Sequence, residues 1–153
     1  MIVYRIANNK FKHFTLSGIG SEKFGGRWNE IGTRAVYCSE NRALALLEYY
    51  VHSDNVALLP KDILLAVIEI PDDLPIKTLE KLPERWKQYP YSAKTTKVFT
   101  NYVQNEDFFA LKVPSTIVPM EHNIILNPLY SRFSEVKIKD FVQVPLDYRL
   151  KNR

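Results

Sequence analysis

The sequence has one cysteine among its 153 residues, Cys38, and it has no long apolar run. One cysteine cannot form an internal disulfide, which excludes a disulfide-stabilised scaffold of the secreted kind. The first residues have neither the basic flank nor the apolar stretch of a signal peptide, so we expect a cytoplasmic protein. The longest apolar run, Ile63–Ile68, is far shorter than the roughly 20 residues that cross a bilayer. No membrane partner is therefore expected.

Motifs for metals and for common nucleotide cofactors are also lacking. Three scattered histidines and one cysteine form no zinc-ligand spacing, so we expect no metal. The segment Gly18–Gly20 resembles the start of a dinucleotide-binding fingerprint, but Lys23 occupies the position of the third glycine. No glycine precedes Lys and Ser or Thr at the spacing of a P-loop. We therefore expect no bound cofactor.

The composition is that of an ordinary globular protein. With 46% hydrophobic and 25% charged residues, the chain is long enough for a single domain over residues 1–153 with its own core. The net charge of +4 attracts anions but is too small to identify one. A basic nucleic-acid-binding module therefore remains an alternative, because cations alternate with aromatic side chains in one stretch. These residues are Lys77, Lys81, Arg85, Trp86, Lys87, Tyr89, Tyr91, Lys94 and Lys97.

All five glycines lie between Ser17 and Thr33, in a segment rich in Ser, Asn, Glu and Arg. No regular element tolerates this composition well, so the pattern predicts a loop. Because the conformational freedom is concentrated in one place, we interpret this segment as a loop that wraps a ligand. A plain turn-rich connection is the alternative.

The remaining pattern predicts an α+β fold in one compact domain. Short apolar segments bounded by Pro, Asn or charge predict strands, and longer periodic segments predict helices. The predicted strands are Ile2–Ile6, Ala35–Cys38, Ile63–Ile70, Phe108–Val113, Thr116–Val118, Asn123–Leu126, Val136–Phe141 and Gln143–Leu146. The predicted helices run from an N-cap at Ser39 to about His52, from Thr78 to Gln88 and from Ser92 to Gln104.

The first predicted helix carries a carboxylate at the border of its apolar side. Its apolar residues at helical spacing are Ala43, Leu44, Leu46, Leu47, Tyr50 and Val51. Glu48 lies about 40° outside Leu44 on the helical wheel. We therefore expect its carboxylate to be partly desolvated, whereas an ordinary surface glutamate is the alternative.

Several short motifs together resemble the signature of the RES domain family of bacterial toxins. They are Tyr4-Arg5, Gly25-Gly26-Arg27-Trp28-Asn29, Gly32, Val36-Tyr37, Ser39, Ala43 to Glu48, Val113-Pro114-Ser115, Val118-Pro119, Glu121, Asn123, Asn127-Pro128 and Asp147 to Leu150. The resemblance extends from the first strand to near the C-terminus. One stretch departs from it, because residues 95–107 lack the Gly-Asp and Trp expected there.

The resemblance implies a fold like that of ADP-ribosyltransferase toxins and an enzyme that breaks the nicotinamide–ribose bond of NAD⁺. NAD⁺ is then a substrate and not a cofactor, and ADP-ribose passes to phosphate or water. It also implies neutralisation by an Xre-type antitoxin, through which any contact with nucleic acid is indirect. A toxin that transfers ADP-ribose to a protein is the nearest alternative.

The Arg, Glu and Ser in the family's name fall on Arg27, Glu48 and Ser115. Nicotinamide leaves NAD⁺ as a neutral molecule, so one carboxylate suffices where ordinary glycosidases need two. Glu48 is the candidate that stabilises positive charge developing on the ribose, and Arg27 offers a planar fork to the pyrophosphate. Tyr37 is the third catalytic candidate, as a ring that stacks on nicotinamide or ribose, although a core tyrosine is the alternative.

The predicted substrate-binding residues are Arg5, Ser115 and Asn127. Arg5 is a candidate second clamp, with a structural ion-pair role as the alternative. Ser115 is a candidate for orienting a substrate phosphate or the attacking group, although Ser after Pro is also an ordinary turn residue. No His–Asp arrangement supports Ser115 as a triad nucleophile. For Asn127, shaping its loop is the alternative and the simpler interpretation.

Overall fold

The computed structural model describes residues 1–52 and 62–145. Seven strands and three α-helices are present in these ranges, together with short 3-10 helices at Asn9–Phe14 and Phe133–Glu135. The strands are β1 (Ile2–Asn8), β2 (Val36–Ser39), β3 (Ile63–Glu69), β4 (Ile76–Thr78), β5 (Ala110–Pro114), β6 (His122–Leu126) and β7 (Lys137–Val144). The helices are α1 (Ile19–Phe24), α2 (Arg42–Val51) and α3 (Ala93–Asn105). The predicted α+β class is confirmed.

The strands form one mixed sheet in the order β4-β5-β6-β2-β1-β3-β7. Only β4 and β5 run parallel, and every other neighbouring pair is antiparallel. The junction between β1 and β2 is narrow, because one residue pair, Tyr4 with Ser39, joins them. By contrast, β1 and β3 pair over their full length. The sheet is therefore least continuous between β1 and β2, where the Arg5 side chain reaches the Tyr37 carbonyl.

Alternating side chains of the strands supply cores on both faces of the sheet, as the two-residue period of a strand requires. One face packs against α2 through Ile6, Ala45 and Leu65, and against α3 through Phe99 and Leu111. The other face is closed by loop and turn residues, which include Leu74, Tyr130, Phe133 and Val136. Both helices that border the candidate site therefore lie on the same face.

The segment predicted as a loop between Ser17 and Thr33 contains the short helix α1, so that prediction is wrong over Ile19–Phe24. Two glycines bound this helix instead of interrupting it. Gly18 at its N-cap and Gly25 at its C-cap both have positive φ, of 68° and 69°. Glycine adopts this conformation readily. Two of the glycines that predicted a loop thus end a helix at each side, and Gly20 lies within that helix.

Helix α2 begins later in the chain than predicted, and a different side of it is buried. Asn41 is its N-cap, since its Oδ1 accepts from the Leu44 amide at 2.8 Å, whereas the predicted cap Ser39 still belongs to β2. Leu44 and Ala45 are buried, but Leu47 and Val51 of the predicted apolar stripe are 42% and 60% exposed. The helix is therefore rotated so that Glu48 faces the sheet.

The helix predicted over Thr78–Gln88 is absent, since Thr78 belongs to β4 and residues 79–92 form turns and irregular chain. Pro83 and Pro90 interrupt this stretch, and Arg85 has a φ of 57°, so a regular helix is disfavoured. We call residues 79–92 the connecting segment. The helix predicted over Ser92–Gln104 is confirmed as α3, with Ser92 as its N-cap.

Two strand predictions near the C-terminus also change. Residues 116–118 form a turn instead of a strand, because their amides bond to Ser115 Oγ. The two strands predicted from Val136 onwards are one strand, β7, with an irregularity where its register to β3 shifts. Leu146 and the predicted motif Asp147–Leu150 lie outside the described residues. In residues 1–52 and 62–145, no helix is long and apolar enough to cross a membrane.

Candidate active site

Glu48 is the centre of a hydrogen-bonded cluster between α2 and the sheet. Its Oε1 accepts from Ser115 Oγ at 3.0 Å and from Asn123 Nδ2 at 2.5 Å. Its Oε2 lies 3.3 Å from His52 Nε2, one helical turn later. The side chain of Glu48 is 17% exposed. The structure therefore presents a largely buried carboxylate whose two oxygens are held by side chains from a helix, a strand and a turn.

The surroundings keep this carboxylate ionised. Burial raises the pKa of Glu48, but the hydrogen bonds from His52, Asn123 and Ser115 outweigh burial and hold the pKa below its ordinary value. Donors directed at a carboxylate favour its charged form. The predicted partial desolvation of Glu48 is confirmed, and its negative charge is retained at neutral pH.

The sheet orients Asn123 for this contact. Asn123 lies on β6 directly opposite Ser39 of β2, and the Ser39 hydroxyl donates to Asn123 Oδ1 at 2.7 Å. Because that bond uses the amide oxygen, the amide nitrogen is the group directed at Glu48. A cross-strand pair therefore determines which end of the amide meets the carboxylate.

Ser115 is oriented in a similar way, at the end of β5. Its Oγ accepts from the amides of Ile117 at 3.0 Å and Val118 at 3.2 Å. Since both lone pairs of the hydroxyl are then engaged, its proton is directed to Glu48. Ser115 is buried, with 5% of its surface exposed. The structure thus places this predicted residue in contact with Glu48.

Arg27 is held mainly by the backbone of the connecting segment. Its Nη1 donates to the carbonyl oxygens of Trp86 at 2.7 Å and Gln88 at 3.1 Å. Its guanidinium lies over the ring of Tyr91, 4.7 Å from the centroid. Both hydrogen bonds that Arg27 makes within the described residues come from Nη1, so its Nη2 and Nε remain available to an anion.

Tyr91 lies between the two charged residues. Burial raises the pKa of the Tyr91 hydroxyl, the charge of Arg27 lowers it, and the charge of Glu48 raises it further. Its ring contacts the Arg27 guanidinium, and its Oη lies 3.5 Å from Nδ1 of His52, whose Nε2 neighbours Glu48. Through Tyr91, the structure brings Arg27 and Glu48 to one site although they come from a loop and a helix.

Tyr37 holds the loop that contains Gly26, Trp28 and Asn29. Its hydroxyl donates to Asn29 Oδ1 at 2.7 Å and accepts from the Trp28 amide at 3.1 Å. Burial raises the pKa of Tyr37 well above its ordinary value, so the hydroxyl keeps its proton. A Cβ at Gly26 would lie 2.6 Å from Tyr37 Oη, so only glycine fits there. The half-buried ring of Tyr37 packs against the core cluster that contains Trp28 and Ile125, so its predicted stacking on a substrate stays a prediction.

Arg5 reaches the narrow junction between β1 and β2. Its Nη1 donates to the Tyr37 carbonyl at 2.7 Å, which is the only hydrogen bond of its guanidinium within residues 1–52 and 62–145. The structure therefore brings Arg5 to the backbone of Tyr37. Its predicted part as a substrate clamp stays a prediction.

Asn127 lies apart from the other predicted site residues. It follows the far end of β6 from Asn123, where its Nδ2 donates to the Phe108 carbonyl at 2.8 Å and its Oδ1 accepts from the Leu129 amide at 3.0 Å. These bonds join two loops, and its predicted part in substrate binding stays untested.

An open groove of about 580 Å³ adjoins the site, with Tyr91 on one wall and Gly25, Gly26 and Thr96 along it. Phe24 and Ile31 also line the groove, and they are 83% and 73% exposed. Exposed apolar side chains beside a cleft are typical of binding surfaces. The groove therefore offers space for a ligand larger than the reacting group alone.

Other chemistry has little support in the described residues. Burial raises the pKa of the Cys38 thiol to about 12, so it is not a nucleophile at neutral pH. Residues 1–52 and 62–145 contain no group of three or more His, Cys, Asp or Glu side chains that can hold a metal ion.

Three residues of this site had no predicted role in it. The i,i+4 spacing of His52 from Glu48 was an available signal, because such residues share one face of a helix. Asn123 was recognised only as part of a motif, since a contact across 75 residues leaves no trace in local spacing. Tyr91 was grouped with the basic cluster, because its sequence neighbours are aromatic and cationic.

Comparisons with known proteins agree on one family. The sequence model of the RES domain matches residues 2–148. A protein of Yersinia enterocolitica named Toxin Res is 36% identical over 134 residues, which cover 87% of this chain and 88% of the relative. The Prs ADP-ribosylating toxin of a Sphingobium species is 37% identical over 128 residues, which cover 81% of this chain and 79% of the relative.

A solved structure shares the fold. A chain of the crystal structure of the M. tuberculosis MbcT–MbcA toxin–antitoxin complex superposes with a TM-score of 0.73 at 15% sequence identity. The match covers 94% of this chain and 84% of the other. At this identity the likeness concerns the architecture of the sheet and its helices.

Proposed function

The chain belongs to the RES domain family, and on that premise we propose that it cleaves the nicotinamide–ribose bond of NAD⁺ and passes ADP-ribose to phosphate or water. The observation that carries this proposal is the Glu48 carboxylate, largely buried, held by donors on both oxygens and ionised, in electrostatic reach of Tyr91, on which Arg27 stacks. Such an arrangement suits a reaction in which positive charge develops beside a fixed anion.

In the proposed reaction, cleavage of the glycosidic bond is ahead of bond formation to the acceptor. The electron pair of the broken bond goes to the ring nitrogen of nicotinamide. The leaving group becomes neutral, so no general acid is needed. Glu48 stabilises the positive charge that develops on the ribose and accepts a hydrogen bond from a ribose hydroxyl. An oxygen of phosphate or water then bonds to the ribose carbon. Attack by water releases one proton to the solvent, whereas attack by a phosphate oxyanion releases none.

The other residues bind and orient the substrate in this proposal. Arg27 presents Nη2 and Nε to the pyrophosphate, because its Nη1 is already used by the connecting segment. Tyr37 offers a ring to nicotinamide or ribose. Ser115 acts by holding Glu48, while Arg5 is proposed as a second anion clamp. No metal or other cofactor takes part, so a chelator should leave the rate unchanged.

A second candidate function is transfer of ADP-ribose to a protein. It is favoured by one observation, the 37% identity to a relative whose name describes an ADP-ribosylating toxin. The same bond breaks in both reactions, so Glu48 and Arg27 would have the same parts. The two functions differ only in the acceptor.

One experiment separates these functions. The purified chain is incubated with adenine-labelled NAD⁺, with and without phosphate, and nicotinamide and nucleotide products are separated by chromatography. We expect nicotinamide release together with free ADP-ribose or its phosphorylated form. Label bound to protein would favour the transferase. If well-folded chain free of any partner consumes no NAD⁺ under either condition and labels no protein, the enzyme proposal is wrong.

We also propose that a small antitoxin of the Xre type neutralises the enzyme in the cytoplasm by covering Arg27 and Tyr37. The proposal is supported by the family and by the fold shared with a chain of a toxin–antitoxin complex. The guanidinium of Arg27, half-buried and with Nη2 and Nε available, favours a carboxylate-bearing segment of that partner. Pull-down with the co-encoded protein checks this, and Arg27→Glu should weaken the complex. Equal binding and inhibition by the variant would contradict it.

A further inference from the structure

The two oxygens of Glu48 are held in different ways. Oε1 accepts from Ser115 and Asn123, both anchored to the sheet. Oε2 has one hydrogen-bonding partner within residues 1–52 and 62–145, the His52 ring at 3.3 Å. The rotation of the carboxylate about its last bond therefore depends on His52 at one side and on the sheet at the other.

The ring of His52 is itself held from outside its helix. Tyr91 Oη lies 3.5 Å from Nδ1, on the opposite side of the ring from Nε2. A neutral imidazole has one donor and one acceptor nitrogen. If Nε2 donates to Glu48, then Nδ1 accepts from the Tyr91 hydroxyl, so both contacts are satisfied by one tautomer.

Tyr91 links this pair to the other half of the site. Its ring packs beneath the Arg27 guanidinium, 4.7 Å from the centroid. A continuous series of contacts therefore runs from Arg27 through Tyr91 and His52 to Glu48. A surface ion pair between residues one helical turn apart would need none of these further contacts.

We propose that His52 is a positioning residue that orients Glu48 Oε2 toward the substrate ribose, with Tyr91 holding the His52 ring. This rests on the proposed function. A carboxylate oxygen can accept more than one hydrogen bond, so His52 Nε2 and a ribose hydroxyl can share Oε2. His52 touches neither the reacting atoms nor the pyrophosphate in this proposal, and it acts through Glu48 alone.

Two substitutions of nearly equal size separate the contacts of His52. The amide nitrogen of Gln reaches the position of Nε2, whereas that of Asn reaches the position of Nδ1. We expect His52→Gln to keep most of kcat. His52→Asn should lower kcat about tenfold at unchanged KM, as loss of one hydrogen bond to a charged group predicts. Tyr91→Phe should lower kcat less, because it removes only the support of the ring.

Matched controls come from outside the site. His13 is an exposed histidine in the first 3-10 helix, and Tyr89 is 75% exposed and lies edge-on to Tyr91. His13→Asn and Tyr89→Phe should keep the kcat and KM of the parent chain. Circular dichroism and melting temperature establish that each variant is folded before its kinetics are compared.

A second readout does not depend on activity. Titration of the Glu48 carboxyl carbon by NMR gives its pKa directly. Burial raises this pKa and the His52 hydrogen bond lowers it, so it should be higher in His52→Asn than in the parent chain or in His52→Gln. The hydrogen bonds of Asn123 and Ser115 also lower this pKa, and both residues are unchanged in the two variants.

Each outcome decides between a positioning residue and an incidental ion pair. Low kcat in His52→Asn, its rescue in His52→Gln and a raised Glu48 pKa support the proposal. Parent-like kcat and an unchanged Glu48 titration in His52→Asn would overturn it while the proposed enzyme stands. If the parent chain itself consumes no NAD⁺, the proposed function fails, and the titration alone still decides whether His52 holds Glu48.

Discussion

The two charges of the candidate site are held by different kinds of contact. Glu48 is bound by the side chains of Ser115, Asn123 and His52. Arg27 is bound by the main-chain carbonyls of Trp86 and Gln88. A side-chain contact is lost when its residue is replaced, but a carbonyl remains after almost any substitution. The carboxylate should therefore be sensitive to changes around it, and the guanidinium should be sensitive mainly to its own replacement.

The difference also follows the architecture. The partners of Glu48 are the C-cap of α2, a residue of β6 and the residue that follows β5, whereas the partners of Arg27 lie in the irregular connecting segment. Regular elements hold side chains at fixed positions more accurately than loops do. In the proposed reaction, the group that stabilises a developing charge is therefore held by regular elements, and the group that binds the charged substrate is held by irregular chain.

The largest effect should come from removing the charge of Glu48. Glu48→Gln keeps the size of the side chain but not the anion, and we expect kcat to fall roughly 10²–10³-fold while KM changes little. Steady-state kinetics of nicotinamide release measure both. Glu80→Gln, on an exposed position, is the control. A normal kcat in Glu48→Gln would show that the carboxylate does not act in the transition state.

Replacing Arg27 should affect binding instead. The pyrophosphate carries the same charge before and during the reaction, so its clamp contributes equally to both states. We expect Arg27→Ala to raise KM about 10–100-fold with kcat nearly unchanged, which is the range of a charge-assisted hydrogen bond. The KM of Arg27→Lys should lie between those of the parent chain and Arg27→Ala, because lysine keeps the charge without the planar fork. Lys97→Ala, on the exposed side of α3, should match the parent chain.

The opposite pattern would contradict the assignment of the two charges. A change in kcat alone for Arg27→Ala, together with a change in KM alone for Glu48→Gln, would mean that their parts are exchanged. Substrate binding measured by calorimetry on inactive variants would then show which residue contacts the pyrophosphate.

Replacing Asn123, which donates to Glu48, should lower kcat less than replacing Glu48 itself. Asn123→Ala removes the donor to Oε1, so the pKa of Glu48 should rise from its lowered value. The ionised form is lost as pH falls through that pKa, and the acid limb of the kcat profile should therefore move to higher pH. At neutral pH we expect kcat to be about tenfold lower. Asn101→Ala, an exposed position on α3, should leave the profile in place.

The lowered pKa of Glu48 also predicts how the stability of the native state depends on pH. A carboxyl group with a lowered folded pKa stabilises the native state above its ordinary pKa, and this contribution disappears as pH falls through the folded pKa. Asn123→Ala should therefore cost stability at neutral pH and less in acid. Equal losses of melting temperature at both pH values would indicate a packing defect instead.

The smallest effect is expected around Arg27. Gln88 contributes its carbonyl to the guanidinium, while its side chain is exposed. Gln88→Ala keeps the carbonyl, so kcat and KM should stay within about twofold of the parent chain, as for other surface substitutions. If Gln88→Ala raised KM as much as Arg27→Ala does, the side chain would be the true partner and the contrast between the two charges would fail.

Much of the fold was predictable because local patterns were strong. The strands at Ile2, Ile63 and Asn123 and the helix at Ser92 follow apolar alternation, helical period and a capping residue. The helix predicted over Thr78–Gln88 failed because Pro83 interrupts it and Arg85 has a positive φ. The strand over 116–118 failed because a single hydroxyl, that of Ser115, collects two of its amides.

The site was predictable in part. The motifs identified Arg27, Tyr37, Glu48 and Ser115, and the structure joins Glu48 directly to Ser115 and electrostatically to Arg27 through Tyr91. Asn127 is the exception among the predicted residues, since both groups of its amide are engaged between two loops. His52, Tyr91 and Asn123 were missed because a sequence shows which residues share a helix face but not what approaches that face.

The sequence by itself determined the α+β class, the absence of a disulfide framework, the family, and the residue types at the centre of the site, because these depend on composition, local periodicity and short motifs. Only the tertiary structure decided that α2 turns Glu48 toward the sheet, that the Ser39–Asn123 pair directs an amide at it, and that the connecting segment brings Tyr91 between Glu48 and Arg27. Those contacts join residues far apart in the chain. Their geometry follows from how strands and helices pack together, which no local pattern encodes.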